Sequence, residues 1–145
     1  MSSSPESPRT YLDSNVFILA IAYKGRKPDA AKDLLLKMVR GELRGVTSSL
    51  TVDEVVWSVL KNTGKRDVAI EQGERLFKLA NLLIVSVDAQ SVLRGLSLMR
   101  AHRELKPRDA IHAGVCMNKG ISIIHSDDPD FDSIPGLRRI GLTAG

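Results

Sequence analysis

The chain has 145 residues, a length that gives one domain with a hydrophobic core and is short for two. Its 43% hydrophobic and 26% charged residues are typical of a globular protein, and no apolar run reaches the about 18 residues of a membrane span. The formal charge of +4 and the pI of about 9.4 favour contact with polyanions, although many basic proteins bind no nucleic acid.

The first predicted elements alternate between strand and helix. Residues 9–13 are a strand candidate, and residues 15–23 continue as a buried helix. An apolar repeat at helical spacing over 31–39 predicts an amphipathic helix with Asp29 near its N-cap. A short strand then begins at Gly45.

The middle of the chain repeats this alternation. A stripe of valines over 52–60 predicts a helix that ends at Gly64, and a weaker pattern over 68–80 predicts another. The β-branched run 82–87 is typical of a buried strand, after which Asp88 is placed to cap a further helix.

The last elements complete an α/β pattern. Pro107 suits the first turn of a helix over 107–118, and the runs 121–125 and 137–142 predict two strands. Near-continuous apolar strands between helices indicate a three-layer α/β/α fold with a central, mainly parallel sheet. We expect residues 1–8 to be a flexible tail and residues 9–145 to form the one domain.

The cellular location is predicted from the cysteine content and the first residues. Cys116 is the single cysteine, so no internal disulfide can form, and its apolar neighbours predict a buried thiol. The polar, Ser- and Pro-rich start lacks the features of a secretory signal. Both observations predict a cytoplasmic protein.

Acidic residues gather where ligands bind in parallel α/β sheets, either directly after a strand or in the first turn of a helix. They are Asp13, Glu54, Asp109, Asp127, Asp128 and Asp130. Crowded carboxylates repel one another unless a cation neutralises them. Because the ligands are oxygens, without a cysteine or histidine among them, the pattern favours Mg²⁺ or Mn²⁺ over zinc.

Each acid also has a purely structural explanation. Asp13 can be a helix N-cap, and Asp109 can complement a helix dipole. Glu54 can face solvent, and the acids of 127–132 can form a solvated turn around Pro129. Their joint placement at one predicted edge of the sheet is what favours a metal site.

Four segments of the chain resemble the PIN domain family, in particular its single-domain VapC-type toxins. They are TYLDSNVFILA (10–20), TSSLTVDEVV (47–56), LKPRDAIHAG (105–114) and IIHSDDPDFDSIPGLRRI (123–140). Their order and spacing match the family over nearly the whole chain.

The resemblance implies a role for particular residues. The metal-coordinating acids would be Asp13, Glu54, Asp109 and Asp128, with Glu54 acting through water or on a second ion. Asp130 would be an outer ligand or a turn residue, and which acid of the Asp127-Asp128 doublet faces the metal stays open. Asn15 and Ser48 match polar positions beside the site.

The resemblance also implies an activity and partners. The activity would be metal-dependent cleavage of RNA, with water as the nucleophile and Mg²⁺ or Mn²⁺ as the cofactor. The partners would be a second copy of the chain, in a homodimer, and a small antitoxin protein that inserts into the cleft.

Several further residues are interpreted with a structural alternative. Arg100, Arg103, Lys106 and Arg108 concentrate basic charge just before Asp109, and they are either a solvated face or contacts to RNA. We expect His112 to be packed or hydrogen-bonded rather than a ligand, and Trp57 to be buried in packing.

We therefore predict an endoribonuclease, the toxin of a toxin–antitoxin pair. One alternative is a non-catalytic PIN module that binds RNA or protein. The other is an aspartate-nucleophile phosphatase, which fits less well because Asn15 stands where that class carries its second acid.

Overall fold

The computed structural model describes residues 8–143, so the tail expected over 1–8 lies, apart from Pro8, outside the described residues. The strands are β1 (Arg9–Leu12), β2 (Arg44–Ser48), β3 (Leu82–Val85), β4 (Ile123–His125) and β5 (Arg138–Ile140). The helices are α1 (Ser14–Ala22), α2 (Arg26–Val39), α3 (Ser49–Thr63), α4 (Arg66–Leu76), α5 (Ala89–Ala101) and α6 (Pro107–Asn118). A short 3-10 helix, Pro129–Ser133, follows β4.

The five strands form one sheet in the order β3-β2-β1-β4-β5, and every pair is parallel. Tyr11 of β1 is paired with Val46 on one side and Ile124 on the other, so β1 is the central strand. The predicted α/β fold with a central parallel sheet is confirmed. After β1 the chain builds one half of the sheet and then returns to β4, so strand order reverses between β1 and β4.

Helices cover both faces of the sheet and enclose a main core on each face, with a smaller cluster of Val16, Ala31 and Leu142. Tyr11 and Val46 belong to the core beneath α5 and α6, which also buries Cys116 as the sequence predicts. Leu12 belongs to the core beneath α1 to α4. Successive residues of a strand point to opposite faces, so β1 contributes to both cores before it reaches Asp13.

Helices α5 and α6 cross at two glycines. A Cβ atom at Gly114 would overlap the carbonyl oxygen of Ser91, and one at Gly95 would lie 2.9 Å from the carbonyl oxygen of Ala110. The two backbones can therefore touch only because these side chains are absent. This crossing holds α6, and the residues that it carries, against the body of the protein.

The helix ends follow the predicted signals. Asp13 and Asp88 each accept a hydrogen bond from a backbone N–H at the start of α1 and α5. Pro107 opens α6, and Gly64 ends α3 in the left-handed conformation with a φ of 68°.

Three expectations are wrong. Glu54 lies in the second turn of its helix and not in the first, because α3 begins at Ser49. The run 82–87 is not a buried strand but the outermost strand β3, whose Leu83 is 47% exposed because one side of the strand has no neighbour. Trp57 is not buried in packing and is 55% exposed.

Within residues 8–143, no helix combines the length and the apolar composition needed to cross a bilayer.

Candidate metal centre

The acidic site lies where strand order reverses. Asp13 directly follows β1, and its backbone N–H donates to the carbonyl of His125, the last residue of β4, at 3.0 Å. Asp128 lies three residues after His125. Ligand crevices of parallel α/β sheets form at such switch points, outside the carboxyl ends of the strands.

Three carboxylates come closest to a shared ligand site. One oxygen from each of Asp109, Asp128 and Asp130 lies within 4.8 Å of the others, and all three residues are half-buried. Asp109 comes from the first turn of α6, whereas Asp128 and Asp130 come from the start of the 3-10 helix. Asp128 also accepts a hydrogen bond from the backbone N–H of Asp130, at 2.9 Å, which fixes the turn.

This crowding changes the acidity of Asp109. The pKa of Asp109 is raised to about 8, chiefly by burial and next by the hydrogen bond with Asp128 and the charge of that carboxylate. The carboxylate of Asp13 adds to the effect, while His112 opposes it. A divalent cation would relieve this repulsion, and carboxylate oxygens are hard donors. The three acids therefore fit Mg²⁺ or Mn²⁺.

Asp13 lies deeper and is held by several donors. The Ser126 hydroxyl donates to its Oδ2 at 2.6 Å, and the backbone N–H of Ser14 donates to its Oδ1 at 2.8 Å. Burial raises the pKa of Asp13, and the partly compensating charge of His112 and the Ser126 hydrogen bond lower it. Asp13 is thus both the N-cap of α1 and a member of the acidic site, because it lies between the end of β1 and the start of α1.

Glu54 enters the site from the second turn of α3 and contacts a buried histidine. Its Oε1 lies 2.5 Å from Nε2 of His112, and Oδ1 of Asp13 lies 3.6 Å from the same nitrogen. The other ring nitrogen, Nδ1, lies 2.6 Å from the hydroxyl of Tyr11, which donates to Oγ of Ser48 at 2.8 Å. A continuous chain of hydrogen bonds therefore leads from Ser48 to Glu54.

His112 is held close to the acids despite complete burial. Burial lowers the pKa of His112, but the hydrogen bond to Glu54 and the charges of Asp13, Glu54 and Asp109 outweigh it, so the net shift is upward. Tyr11 has a pKa raised by burial and stays a neutral hydroxyl. The expectation that His112 is packed and hydrogen-bonded is confirmed.

The remaining polar positions predicted beside the site have different surroundings. Asn15 donates to the hydroxyl of Ser126 at 3.2 Å and accepts from the backbone N–H of Asp127 at 3.3 Å. Ser48 is fully buried and contacts Tyr11 instead of capping α3. The Asp127 carboxylate pairs with Lys27 at 3.1 Å, so this acid of the doublet is engaged away from Asp109.

Three residues of this arrangement were not singled out as site residues from the sequence: Tyr11, Ser126 and, in its contact with Glu54, His112. Ser126 begins the motif SDDPDF, which was the available signal for its role. Its hydroxyl also accepts from the backbone N–H of Asp128 at 3.0 Å, so it joins the two strand ends. The contact between His112 and Glu54 joins residues 58 positions apart, for which the sequence offers no local signal.

The predicted basic residues lie at the entrance to α6. Arg100 is in the last turn of α5, Arg103 follows that helix, and Lys106 and Arg108 flank the start of α6. All four are exposed, and within residues 8–143 none of them makes an ion pair. His125 adds no charge at neutral pH, because burial lowers its pKa to about 4.

The structure is a parallel α/β domain whose acidic cluster, suited to a divalent cation, lies at the switch point of its sheet. The family model of the PIN domain matches residues 10–137, and the chain belongs to this family. Members of the family are typically nucleases that use divalent metal ions. Comparison with curated proteins gives no match.

Solved structures of toxin–antitoxin proteins share the fold. VapBC2 from Rickettsia felis, bound to a DNA fragment from its promoter, matches with a TM-score of 0.70 at 17% identity, covering 92% of this chain and 98% of that one. VapC20 of Mycobacterium tuberculosis, a toxin that cleaves the sarcin-ricin loop, matches with 0.70 at 17%, covering 86% and 93%. A toxin–antitoxin complex from Klebsiella pneumoniae matches with 0.64 at 21%, covering 88% and 94%.

Proposed function

We propose that this protein is a metal-dependent endoribonuclease that hydrolyses phosphodiester bonds of RNA. The observation that carries the proposal is the convergence of Asp13, Glu54, Asp109 and Asp128 at the switch point of the sheet. These acids come from the end of β1, from α3, from α6 and from the segment after β4. Asp128 and Asp13 raise the pKa of Asp109, and Glu54 raises that of Asp13. On a surface where the acids served only solvation, these carboxylates would lie far apart.

Asp109 and Asp128 are the central ligands of the proposed metal, with Asp13 behind them. Asp130 joins this set because one of its oxygens lies within 4.8 Å of theirs. Glu54 acts through water or on a second ion. When bound, Mg²⁺ or Mn²⁺ would lower the pKa of the attacking water and neutralise charge on the phosphate.

The protein's own residues supply orientation and substrate contact. Ser126, Asn15 and Ser14 hold the acidic strand ends in place through hydrogen bonds. The cationic groups of Arg100, Arg103, Lys106 and Arg108 bind the RNA backbone beside the acids, which offsets the repulsion between a polyanion and an acidic site.

Cleavage of a labelled single-stranded RNA tests this function. We expect cleavage with Mn²⁺ or Mg²⁺, no cleavage in excess chelator, and a loss of at least about 100-fold in Asp109→Asn and Asp128→Asn, since charge neutralisation at the reacting phosphate supplies a large part of such catalysis. Asp53→Asn is the matched control, because Asp53 is exposed and adjacent to Glu54.

Two results would contradict the proposal. Cleavage that persists in chelator, or in Asp109→Asn, excludes the metal mechanism. RNA binding of full affinity without cleavage in either metal would instead identify a non-catalytic binding module.

We further propose that the protein is the toxin of a toxin–antitoxin pair and forms a homodimer. The structures that share its fold include complexes of VapC-type toxins with antitoxins, from Salmonella typhimurium and Haemophilus influenzae among others.

An open, mainly apolar groove of about 340 Å³ between α1, α2 and α4 suits an apolar antitoxin segment. Phe17, Ile21, Leu35 and Leu76 form its apolar wall, and Arg75 lies at its rim.

A further inference from the structure

His112 takes no direct part in the proposed ligand set, yet it is completely buried beside the acids. None of its surface is exposed, and both ring nitrogens lie within hydrogen-bond distance of side chains from other elements. Burying such a side chain costs free energy unless each of its polar atoms has a hydrogen-bond partner.

The hydrogen on Nε2 follows from the chemistry of its partner. An ionised carboxylate can only accept, so Nε2 of His112 donates to Oε1 of Glu54. Oε2 of Glu54 has no hydrogen-bond partner among residues 8–143. One oxygen of Glu54 is therefore anchored by the imidazole, and the other is available to a water molecule or an ion.

The imidazole also joins the elements that supply the acids. His112 lies three residues after Asp109 on α6, so both side chains project from one face of that helix. Through Nε2 it contacts α3, which carries Glu54, and through Nδ1 it contacts Tyr11 on β1, two residues before Asp13. One rigid ring thus fixes the relative placement of three segments.

We propose that His112 is a positioning residue that orients Glu54 for the metal centre by donating from Nε2 to Oε1. The inference rests on the proposed metal-dependent function and deepens it. Groups that hydrogen-bond to the carboxylate or imidazole neighbours of a metal typically change metal affinity or activity by about 10- to 100-fold when removed.

Two substitutions distinguish the contact made by Nε2 of His112 from the contact made by Nδ1. In His112→Gln the amide nitrogen lies near the former Nε2, so the donor to Glu54 is retained and the contact with Tyr11 is lost. In His112→Asn the amide nitrogen lies near the former Nδ1, so the contact with Tyr11 is retained and the donor to Glu54 is lost. A role confined to packing would affect both variants alike.

The experiment measures Mn²⁺ dissociation constants by electron paramagnetic resonance, together with thermal melting and the kcat and KM for a labelled RNA. We expect His112→Asn to bind Mn²⁺ about 10- to 100-fold more weakly and to lose kcat with little change in KM. We expect His112→Gln to lose less than about tenfold in both quantities. In a Glu54→Gln background, His112→Asn should cause no further loss of Mn²⁺ affinity.

A measurement on the wild-type chain covers the case in which His112→Asn does not fold. In ¹⁵N-histidine NMR spectra of the metal-free protein, the Nε2–H proton of His112 should shift in Glu54→Gln and stay in place in Asp53→Asn. An unchanged proton in Glu54→Gln overturns the inference.

The outcomes distinguish the inference from the function on which it rests. A wild-type chain that binds Mn²⁺ and cleaves RNA, with equal losses in His112→Asn and His112→Gln or with none in His112→Asn, overturns the positioning role alone. A wild-type chain that neither binds Mn²⁺ nor cleaves RNA overturns the proposed function, and the positioning role with it.

Discussion

At the scale of single residues, Asp109 shows how the site is prepared for a cation. Its pKa of about 8 means that this carboxyl holds a proton at neutral pH in the metal-free protein. A metal ion needs the ionised form, so binding releases that proton. The affinity for Mg²⁺ or Mn²⁺ should therefore rise with pH up to about 8.

The same shift predicts a stabilising substitution. Because folding raises the pKa of Asp109 from 3.8, the stability that it contributes is full below about pH 4 and is lost as the pH rises toward 8. Asp109→Asn should thus raise the free energy of unfolding of the metal-free protein by about 1 kcal/mol above about pH 8, less than the full shift implies because water screens a half-buried group.

Chemical denaturation at several pH values measures this effect. The gain should shrink toward acidic pH, and Mn²⁺ should stabilise the wild type but not the variant. Asp29→Asn is the matched control, since Asp29 also lies in the first turn of a helix but is exposed. A variant that is less stable than the wild type at pH 8 without metal would contradict the argument.

At the scale of elements, the crossing of α5 and α6 determines where Asp109 and His112 lie. Gly114→Ala places a methyl group against the Ser91 carbonyl, and the helices must separate. We expect a loss of about 1 to 3 kcal/mol in stability, the usual range for overpacking, together with weaker Mn²⁺ binding because α6 moves.

Thermal melting and a Mn²⁺ titration test this expectation. Ser97→Ala is the control on the facing helix, since Ser97 is exposed and alanine is a good helix former. Wild-type stability in Gly114→Ala would show that the helices are not in close contact.

The connection between α5 and α6 concentrates positive charge beside the acids. If Arg103 and Lys106 bind RNA phosphates, replacing either with Gln should reduce the slope of log K against log salt by about 0.7 for single-stranded RNA. The measurement is a salt titration of RNA binding by a cleavage-deficient Asp109→Asn chain. Arg40→Gln is the control, because Arg40 lies just before β2, at the opposite edge of the sheet. An unchanged slope would place the RNA elsewhere.

At the scale of the whole molecule, the groove between α1, α2 and α4 provides a test of the partner. Ile21 lines it and is 39% exposed. Ile21→Arg should lower affinity for the product of the neighbouring open reading frame at least tenfold, roughly the effect of losing one central apolar contact. Leu36→Arg is the control, since Leu36 is exposed on α2 outside the groove. Calorimetry measures this affinity. An equal loss of affinity in both variants would argue against this groove.

Much of the fold follows from the sequence because its signals are local. The alternation of apolar runs with helical stripes predicts the parallel sheet, Asp88 and Pro107 begin their helices where expected, and Gly64 ends α3. Burial of β3 could not be predicted in this way. A β-branched run is the same in a central and an outer strand, and only strand order distinguishes them.

The sequence by itself determined that acids follow strands and open helices, since both placements are read within a few residues. Tertiary structure decided which acids meet: Asp130 lies with Asp109 and Asp128, whereas Asp127 pairs with Lys27. It also decided that His112 contacts Glu54 through one ring nitrogen and Tyr11 through the other. Contacts of this kind depend on how helices cross the sheet, and the energy that fixes the crossing is shared among many residues far apart in the chain.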